Sequence, residues 1–350
     1  MKKGISVAVV GATGAVGREM LLTLVQRRFP ISEIRALASE RSAGQALEFG
    51  DEEITCEQLQ EDSFEGVDIA LFSAGGSISE KFAPHATKSG AIVIDNSSHF
   101  RMDPNVSLIV PEVNGDALKK HIQSLSRSTG LIIANPNCST VQLVVALKPL
   151  MDRAGLKRVV VSTYQSVSGA GQKGMEELWE QTVAIFNGED PECSKFPHQI
   201  AFNCIPHIDI FLEGGYSREE VKVINESRKI LSSPDLRITA TAVRVPVFSC
   251  HGESVNVELE RPLSPDEARD LLRASPGIIV MDDPNESIYP LNIDLTGTDA
   301  TYIGRIRADE SVENGLNMWI VADNLRKGAA LNAVQIAEIA IDSGRFGNIS

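Results

Sequence analysis

At roughly 100–200 residues per domain, the 350 residues suggest two domains. With 43% hydrophobic and 23% charged residues, the composition is that of an ordinary globular protein, which excludes a disordered chain, a collagen-like repeat and a disulfide-stapled mini-protein. Against 47 acidic residues stand only 33 basic ones, a formal charge of −14. This disfavours a nucleic-acid or anionic-membrane partner and requires any anionic ligand to be met by a local gathering of Arg and Lys.

In chain order, Ile5–Val10, Ile34–Ala38, Val67–Phe72, Ala91–Asp95 and Leu131–Ala134 read as strands. They lack strict alternation, as expected of parallel strands buried on both faces. Between the first two, Met20, Leu21, Leu24 and Val25 mark one face of a helix over Gly17–Arg28. This predicts a doubly wound sheet over residues 1–135. A helix then runs from near Ser139 through Leu150, with Gly155 as its stop. Strands follow at Lys157–Thr163, Thr239–Val247, Ser254–Glu260, Thr301–Arg307 and Leu316–Val321, with helices at Gly174–Phe186, Arg218–Leu231, Pro265–Ala274 and Lys327–Ile341. Residues 136–324 therefore read as an α+β domain on a mixed sheet, with the segment from about 325 to 350 returning to the first domain. Gly188–Pro206 reads as a long loop. No apolar run approaches the roughly 18 residues needed to span a bilayer, and no signal-type segment stands at Met1. Five cysteines without a CxxC pair point to a reducing cytoplasm.

Gly11-Ala12-Thr13-Gly14-Ala15-Val16-Gly17 follows a strand and opens a helix. Glycines there let the backbone approach a pyrophosphate lying at the helix N-terminus, so Gly11, Thr13, Gly14, Ala15 and Val16 are candidate dinucleotide contacts. After the second strand, Glu40 could hold a ribose hydroxyl. Ser39, Arg41 and Ser42 instead offer two hydroxyls and a guanidinium that suit a 2′-phosphate, which favours NADP. Ser73, Asn96 and Gly75-Gly76 are weaker candidates at strand ends.

Asn135-Pro136-Asn137-Cys138-Ser139-Thr140 stands between a strand and an apolar helix. A cysteine at a helix N-terminus lies among N–H groups that favour thiolate and could hold an oxyanion. Cys138 is therefore read as a nucleophile. Cys56, Cys193, Cys204 and Cys250 are read as small buried hydrophobes.

These segments, with Tyr164-Gln165-Ser166-Val167-Ser168-Gly169-Ala170-Gly171 and Arg244–His251, resemble aspartate-semialdehyde dehydrogenases in order and across nearly the whole chain. The resemblance implies a Rossmann-like domain followed by a catalytic and dimerisation domain, and a homodimer. It implies NADP-dependent reductive dephosphorylation of L-4-aspartyl phosphate to aspartate semialdehyde through a Cys138 thioester, in the biosynthesis of lysine (diaminopimelate), threonine, methionine and isoleucine. His251 would be the acid/base, Arg244 would hold the substrate carboxylate, Gln165 would orient the acyl group and Asn137 would also bind substrate. Glu219 would meet the ammonium, while Arg101 and Lys222 would bind phosphate. Ser168, Gly169 and Asn324 would contact the cofactor. Independently of the resemblance, Ser217 and Glu220 form an S-x-x-E capping box, and Glu219 and Lys222 have the spacing of a helical ion pair.

Other readings compete. An N-acetylglutamyl-phosphate reductase would share the layout but has no use for an ammonium partner such as Glu219. A non-catalytic NADP sensor has no need of Cys138, Gln165, Arg244 and His251 together. Cys193-x4-His198-x5-Cys204-x2-His207 holds zinc-type ligands in an unfamiliar order, and no metal is expected.

Overall fold

Unbroken runs of Val, Ile, Leu and Ala build the first sheet, and both of its faces are covered. The computed structural model describes residues 4–126 and 128–347, which cluster into two units. One holds the described residues through Asn137 and those from Ala329 on; the other is Cys138–Gly328.

The first unit begins β1 (Ile5–Val10), α1 (Ala15–Gln26) and β2 (Ile31–Ala38), followed by a small antiparallel hairpin of β3 (Ala46–Phe49) and β4 (Glu52–Thr55) and by β5 (Glu57–Gln58). It continues through β6 (Ile69–Phe72), α2 (Gly76–Lys88), β7 (Ile92–Asp95), β8 (Ser107–Leu108), α3 (Pro111–Ser124) and β9 (Leu131–Ala134). The seven-stranded sheet has the order β5-β2-β1-β6-β7-β9-β8, and every pairing is parallel. Val7, Val9, Leu71 and Ile94 face one core, with Met20 and Leu24 of α1 and Leu118 of α3. Ala8, Val10, Ala70 and Phe72 face the other, with Phe82 and Ala86 of α2. Burial on both sides explains the missing alternation. The chain moves from β2 to β6 across β1, so the switch point of the doubly wound sheet lies between β1 and β6.

The second unit contains α4 (Cys138–Ala154), β10 (Leu156–Gln165), α5 (Gln172–Phe186), α6 (Arg218–Ile230), β11 (Arg237–Arg244) and β12 (His251–Leu259). It ends with α7 (Pro265–Arg273), β13 (Ile278–Val280), β14 (Thr301–Asp309) and β15 (Gly315–Ala322). Its sheet, β11-β10-β12-β15-β14-β13, is mixed, with parallel β10–β11 and β13–β14 pairs and antiparallel pairs between. The almost wholly buried α4 lies against β10, β12, β14 and β15, flanked by α6 and α7. The last helix, α8 (Leu331–Asp342), packs on α1 and α3 of the first unit, where Glu338 receives both forks of Arg27 at 2.7 Å.

Several sequence expectations need adjustment. The first helix starts at Ala15, because extended Gly14 is its N-cap. The strand expected over Thr239–Val247 stops at Arg244, and the one expected from Ser254 already begins at His251. Between them Cys250 takes a left-handed φ of 66° that interrupts regular pairing. The final helix is entered through a π-turn over Arg326–Ala330. Cys56 and Cys250 are buried as expected, but Cys193 and Cys204 are exposed. Their loop is anchored instead by Phe196, Ile200, Ala201 and Ile205. Among the described residues no helix is long and apolar enough to cross a membrane, and no group of three or more His, Cys, Asp or Glu is placed to hold a metal.

Candidate active site

In the first unit the candidate dinucleotide residues collect at the carboxyl ends of the parallel strands. Gly11 follows β1 at a left-handed φ of 83°, where a Cβ would lie 2.8 Å from the Ser73 carbonyl oxygen beyond β6. A Cβ on Gly17 would meet the Gly11 oxygen at 2.2 Å. Both glycines therefore permit contacts that no other residue could. Gly14 caps α1 without a side chain, and the first turn carries no acidic residue, so its N–H groups suit an anion. Ser39, Glu40 and Arg41 are exposed in a short 3-10 turn after β2, with Ser42 half-buried. The Gly17→Ala variant is expected to lose several kcal/mol of stability together with dinucleotide affinity, measurable by urea denaturation and nucleotide titration.

Strand ends β7 and β9 carry Asn96 and Asn135. Asn135 donates to Asn96 Oδ1 at 2.6 Å and accepts from Asn332 of α8 at 2.6 Å. Arg101 is buried and donates to the carbonyls of Asn135 and Asn96, both at 2.9 Å. Asn137, also buried, closes this unit.

In the second unit the sheet register does the assembling. Gln165 ends β10 and pairs with Arg244 at the end of the parallel β11. His251 starts the antiparallel β12 opposite Ala322 of β15, two residues before Asn324. Cys138, half-buried, is the first residue of α4, and its Sγ lies 3.2 Å from His251 Nε2.

The other face of the imidazole fixes its tautomer. The Ser166 backbone N–H donates to Nδ1 at 3.1 Å, so neutral His251 carries its proton on Nε2, directed at the sulfur. Ser166 Oγ lies 3.1 Å from Nδ1 and donates to Asn324 Oδ1 at 3.1 Å; Asn324 Nδ2 donates to Ser168 Oγ at 2.9 Å. Complete burial, then the charge of Arg244, pulls the His251 pKa down to about 3. A folded-state pKa below the unfolded value of about 6.5 gives stability that is complete above that value and lost as pH falls toward 3. The stability advantage of wild type over His251→Gln is therefore expected to shrink by up to about 2 kcal/mol between pH 7 and pH 5, read from urea midpoints.

Arg244 is buried, donates to the Ser166 carbonyl at 2.6 Å and stacks with Cζ 5.9 Å from the Phe196 ring. Gln165 Nε2 donates to Glu219 Oε1 at 3.2 Å. Ser217 and Glu220 do form the capping box of α6, which directs Glu219 and Lys222 from its first turns. Lys222 donates to Glu219 at 3.2 Å and to Asp209 at 2.8 Å. Burial opposes its charge, but the carboxylates of Glu219 and Asp209 outweigh it and hold the ammonium pKa up.

Several contributors escaped the sequence reading. Buried Glu177 accepts from the backbone N–H groups of Ser194 (3.1 Å), Lys195 and Phe196 (3.3 Å). Gln181 accepts from Ile200 and Ala201 at 2.8 and 3.0 Å. Together these two α5 side chains fasten the Gly188–Pro206 loop that brings Phe196 and Ile205 to Arg244. Gly328, in the π-turn, lies so close to the candidate nucleophile that a Cβ would meet Cys138 Cβ at 2.7 Å and Cα at 3.1 Å. Gly328→Ala is expected to displace Cys138 and lower turnover roughly 10–100-fold, with correspondingly slower alkylation of the thiol by iodoacetamide.

Comparison with known proteins agrees with this architecture. Residues 6–121 match the family described as semialdehyde dehydrogenase, NAD binding domain, and residues 147–327 match semialdehyde dehydrogenase, dimerisation domain. The aspartate-semialdehyde dehydrogenase of Aquifex aeolicus is 54% identical over 97% of this chain and 99% of its own length; that of Bacillus subtilis is 50% identical over 97% and 98%. Aspartate semialdehyde dehydrogenase II of Vibrio cholerae, solved in complex with ASA, superposes with a TM-score of 0.92 at 46% identity, over 97% of this chain and 99% of that one. With about half of all positions shared along nearly its full length, the chain belongs to the aspartate-semialdehyde dehydrogenase family.

Proposed function

We propose that the protein catalyses NADP-dependent reductive dephosphorylation of L-4-aspartyl phosphate to L-aspartate 4-semialdehyde, and the reverse, through a thioester on Cys138, in the biosynthesis of lysine, threonine, methionine and isoleucine. The observation that carries this reading is the 3.2 Å contact between Cys138 Sγ at a helix N-terminus and His251 Nε2. In the oxidative direction the thiolate attacks the aldehyde carbon, forming a C–S bond and an alkoxide. The Nε2–H of neutral His251, which faces the sulfur, can turn its hydrogen bond to that oxygen as the negative charge moves from sulfur to oxygen. With its pKa held down to about 3 the imidazole stays neutral, so it acts on this oxygen as a hydrogen-bond donor. Bound NADP supplies the hydride acceptor. After the C=O re-forms, the sulfur is held as a thioester until phosphate oxygen attacks the acyl carbon and the C–S bond breaks. Arg244 clamps the substrate carboxylate, Glu219 meets its ammonium, Gln165 orients the acyl group and Asn137 contributes to substrate binding. Lys222 and Arg101 supply positive charge for phosphate.

For the cofactor, the glycine turn and the open first turn of α1 fit a pyrophosphate at Gly11, Thr13, Gly14, Ala15 and Val16, with Ser73 and Asn96 at neighbouring strand ends. Ser39, Arg41 and Ser42 would hold the 2′-phosphate, and Ser168, Gly169 and Asn324 the nicotinamide side. We further propose a homodimer built on the Cys138–Gly328 unit, to be checked by sedimentation.

The test is NADPH absorbance with aspartate semialdehyde, phosphate and NADP, repeated with NAD. Phosphate-dependent NADPH formation is expected. Turnover only with N-acetylglutamate semialdehyde would sink the substrate assignment, and nucleotide binding without turnover would favour a sensor. Arg41→Ala is expected to raise the KM for NADP about tenfold and leave that for NAD unchanged, since a charged hydrogen bond is worth roughly 1.5–3 kcal/mol.

A further inference from the structure

Beneath the Cys138–His251 pair lies a carboxyl that the reaction leaves without a task. Glu253 follows His251 by two residues on β12, hence on the same side of the strand, and is completely buried. α4 packs on this strand, and Gln142, one turn after Cys138 and also buried, lies within hydrogen-bonding reach of the Glu253 carboxyl. Gln142 Nε2 donates to the His251 carbonyl oxygen at 3.2 Å. Among the described residues, neither Glu253 oxygen nor Gln142 Oε1 has a well-formed hydrogen bond.

Acceptors gathered in a dry interior with no donor are a costly arrangement. Turning the amide over does not repair it: Oε1 would then face the His251 carbonyl, acceptor against acceptor. One proton removes the buried charge and gives Gln142 Oε1 a donor, leaving only an uncharged carboxyl oxygen without one. We propose that Glu253 is a neutral carboxylic acid whose O–H donates to Gln142 Oε1, making Glu253 a positioning residue that ties the helix carrying Cys138 to the strand carrying His251. Cys138 and Gln142 share one face of α4 at i and i+4; His251 and Glu253 share one face of β12. The Glu253–Gln142–His251 chain thus fixes the height of the helix over the strand, and with it the Sγ–Nε2 separation. Burial without a neighbouring cation also drives the Glu253 pKa well above the carboxylate range.

The inference rests on the roles proposed for Cys138 and His251, so its test includes readouts that need no turnover. Infrared difference spectra of wild type against Glu253→Gln at pH 7 should show the C=O stretch of a protonated carboxyl. Glu253→Gln, neutral and able to donate to Oε1, should keep kcat and the rate of Cys138 alkylation within about threefold of wild type; Glu253→Leu, with no donor, should lower both roughly 10–100-fold while the KM for phosphate stays unchanged. An ionised-carboxylate band, a Gln variant as impaired as Leu, or a Leu variant matching wild type would each overturn the proposal. If wild type turns over no semialdehyde, the infrared band and the alkylation rates still decide it.

Discussion

Cys138→Ala is expected to retain the fold and NADP binding while phosphate-dependent NADPH formation falls at least about 10⁴-fold. The proposed reaction asks one atom to attack a carbonyl, to stay attached while the carbon changes oxidation state, and then to leave when phosphate arrives. Sulfur can do all three, and the site supports it: Cys138 stands at the N-terminus of α4, the positive end of the helix dipole, His251 Nε2 lies 3.2 Å away, and the Arg244 charge is near enough to sense it. Alanine removes the attacking atom and leaves the surroundings little changed. Cys138→Ser should be nearly as inactive, because a hydroxyl is a far weaker nucleophile and His251, with its pKa pulled down to about 3, is a poor base for deprotonating it. A burst of NADPH from wild type without phosphate, at one equivalent per site, would report the acyl-enzyme directly. Residual steady turnover in the alanine variant within tenfold of wild type would remove Cys138 from the mechanism.

The parts of this site that could be read from sequence are those whose physics is local. The Gly11–Gly17 turn declares itself because strand, glycines and helix are adjacent, and the closest approach, between Gly17 and the Gly11 carbonyl, is made within the motif. The capping box of α6 is equally local, and both its hydrogen bonds form. Cys138 is legible as a residue between a strand and a helix, yet nothing near it in sequence announces Gly328, whose missing side chain makes room for it. The Gly188–Pro206 loop reads as irregular because its hydrogen bonds run to Glu177 and Gln181 on a separate helix, which look in sequence like the polar side of an amphipathic segment. Likewise the start of β12 at His251 directly follows a left-handed Cys250, a conformation that a cysteine does not advertise. The resemblance to a family supplied a role for Arg101, and for Glu219 and Lys222 roles that spacing alone left as an ordinary ion pair.

Arg244→Lys is expected to cut kcat/KM for aspartate semialdehyde by roughly 10–150-fold, as one of two charge-assisted hydrogen bonds of about 1.5–3 kcal/mol each is lost. The guanidinium is held in place from several sides: by the Ser166 carbonyl at 2.6 Å, by the Phe196 ring and by the pairing of its own backbone with Ile205 at 2.9 and 2.8 Å. What remains of its planar fork is pre-organised for a carboxylate, which a flexible ammonium cannot reproduce. Lysine keeps a positive charge beside Glu219, so the variant should fold; Arg244→Leu would leave the buried Glu219 without that charge and is the poorer test. Most of the loss should appear in the KM for the semialdehyde, whereas the KM for phosphate, assigned to Lys222 and Arg101, should move less than threefold. Equal losses for both substrates would mean that Arg244 shapes the whole site and does not clamp one carboxylate. A shift confined to phosphate would exchange its role with that of Lys222.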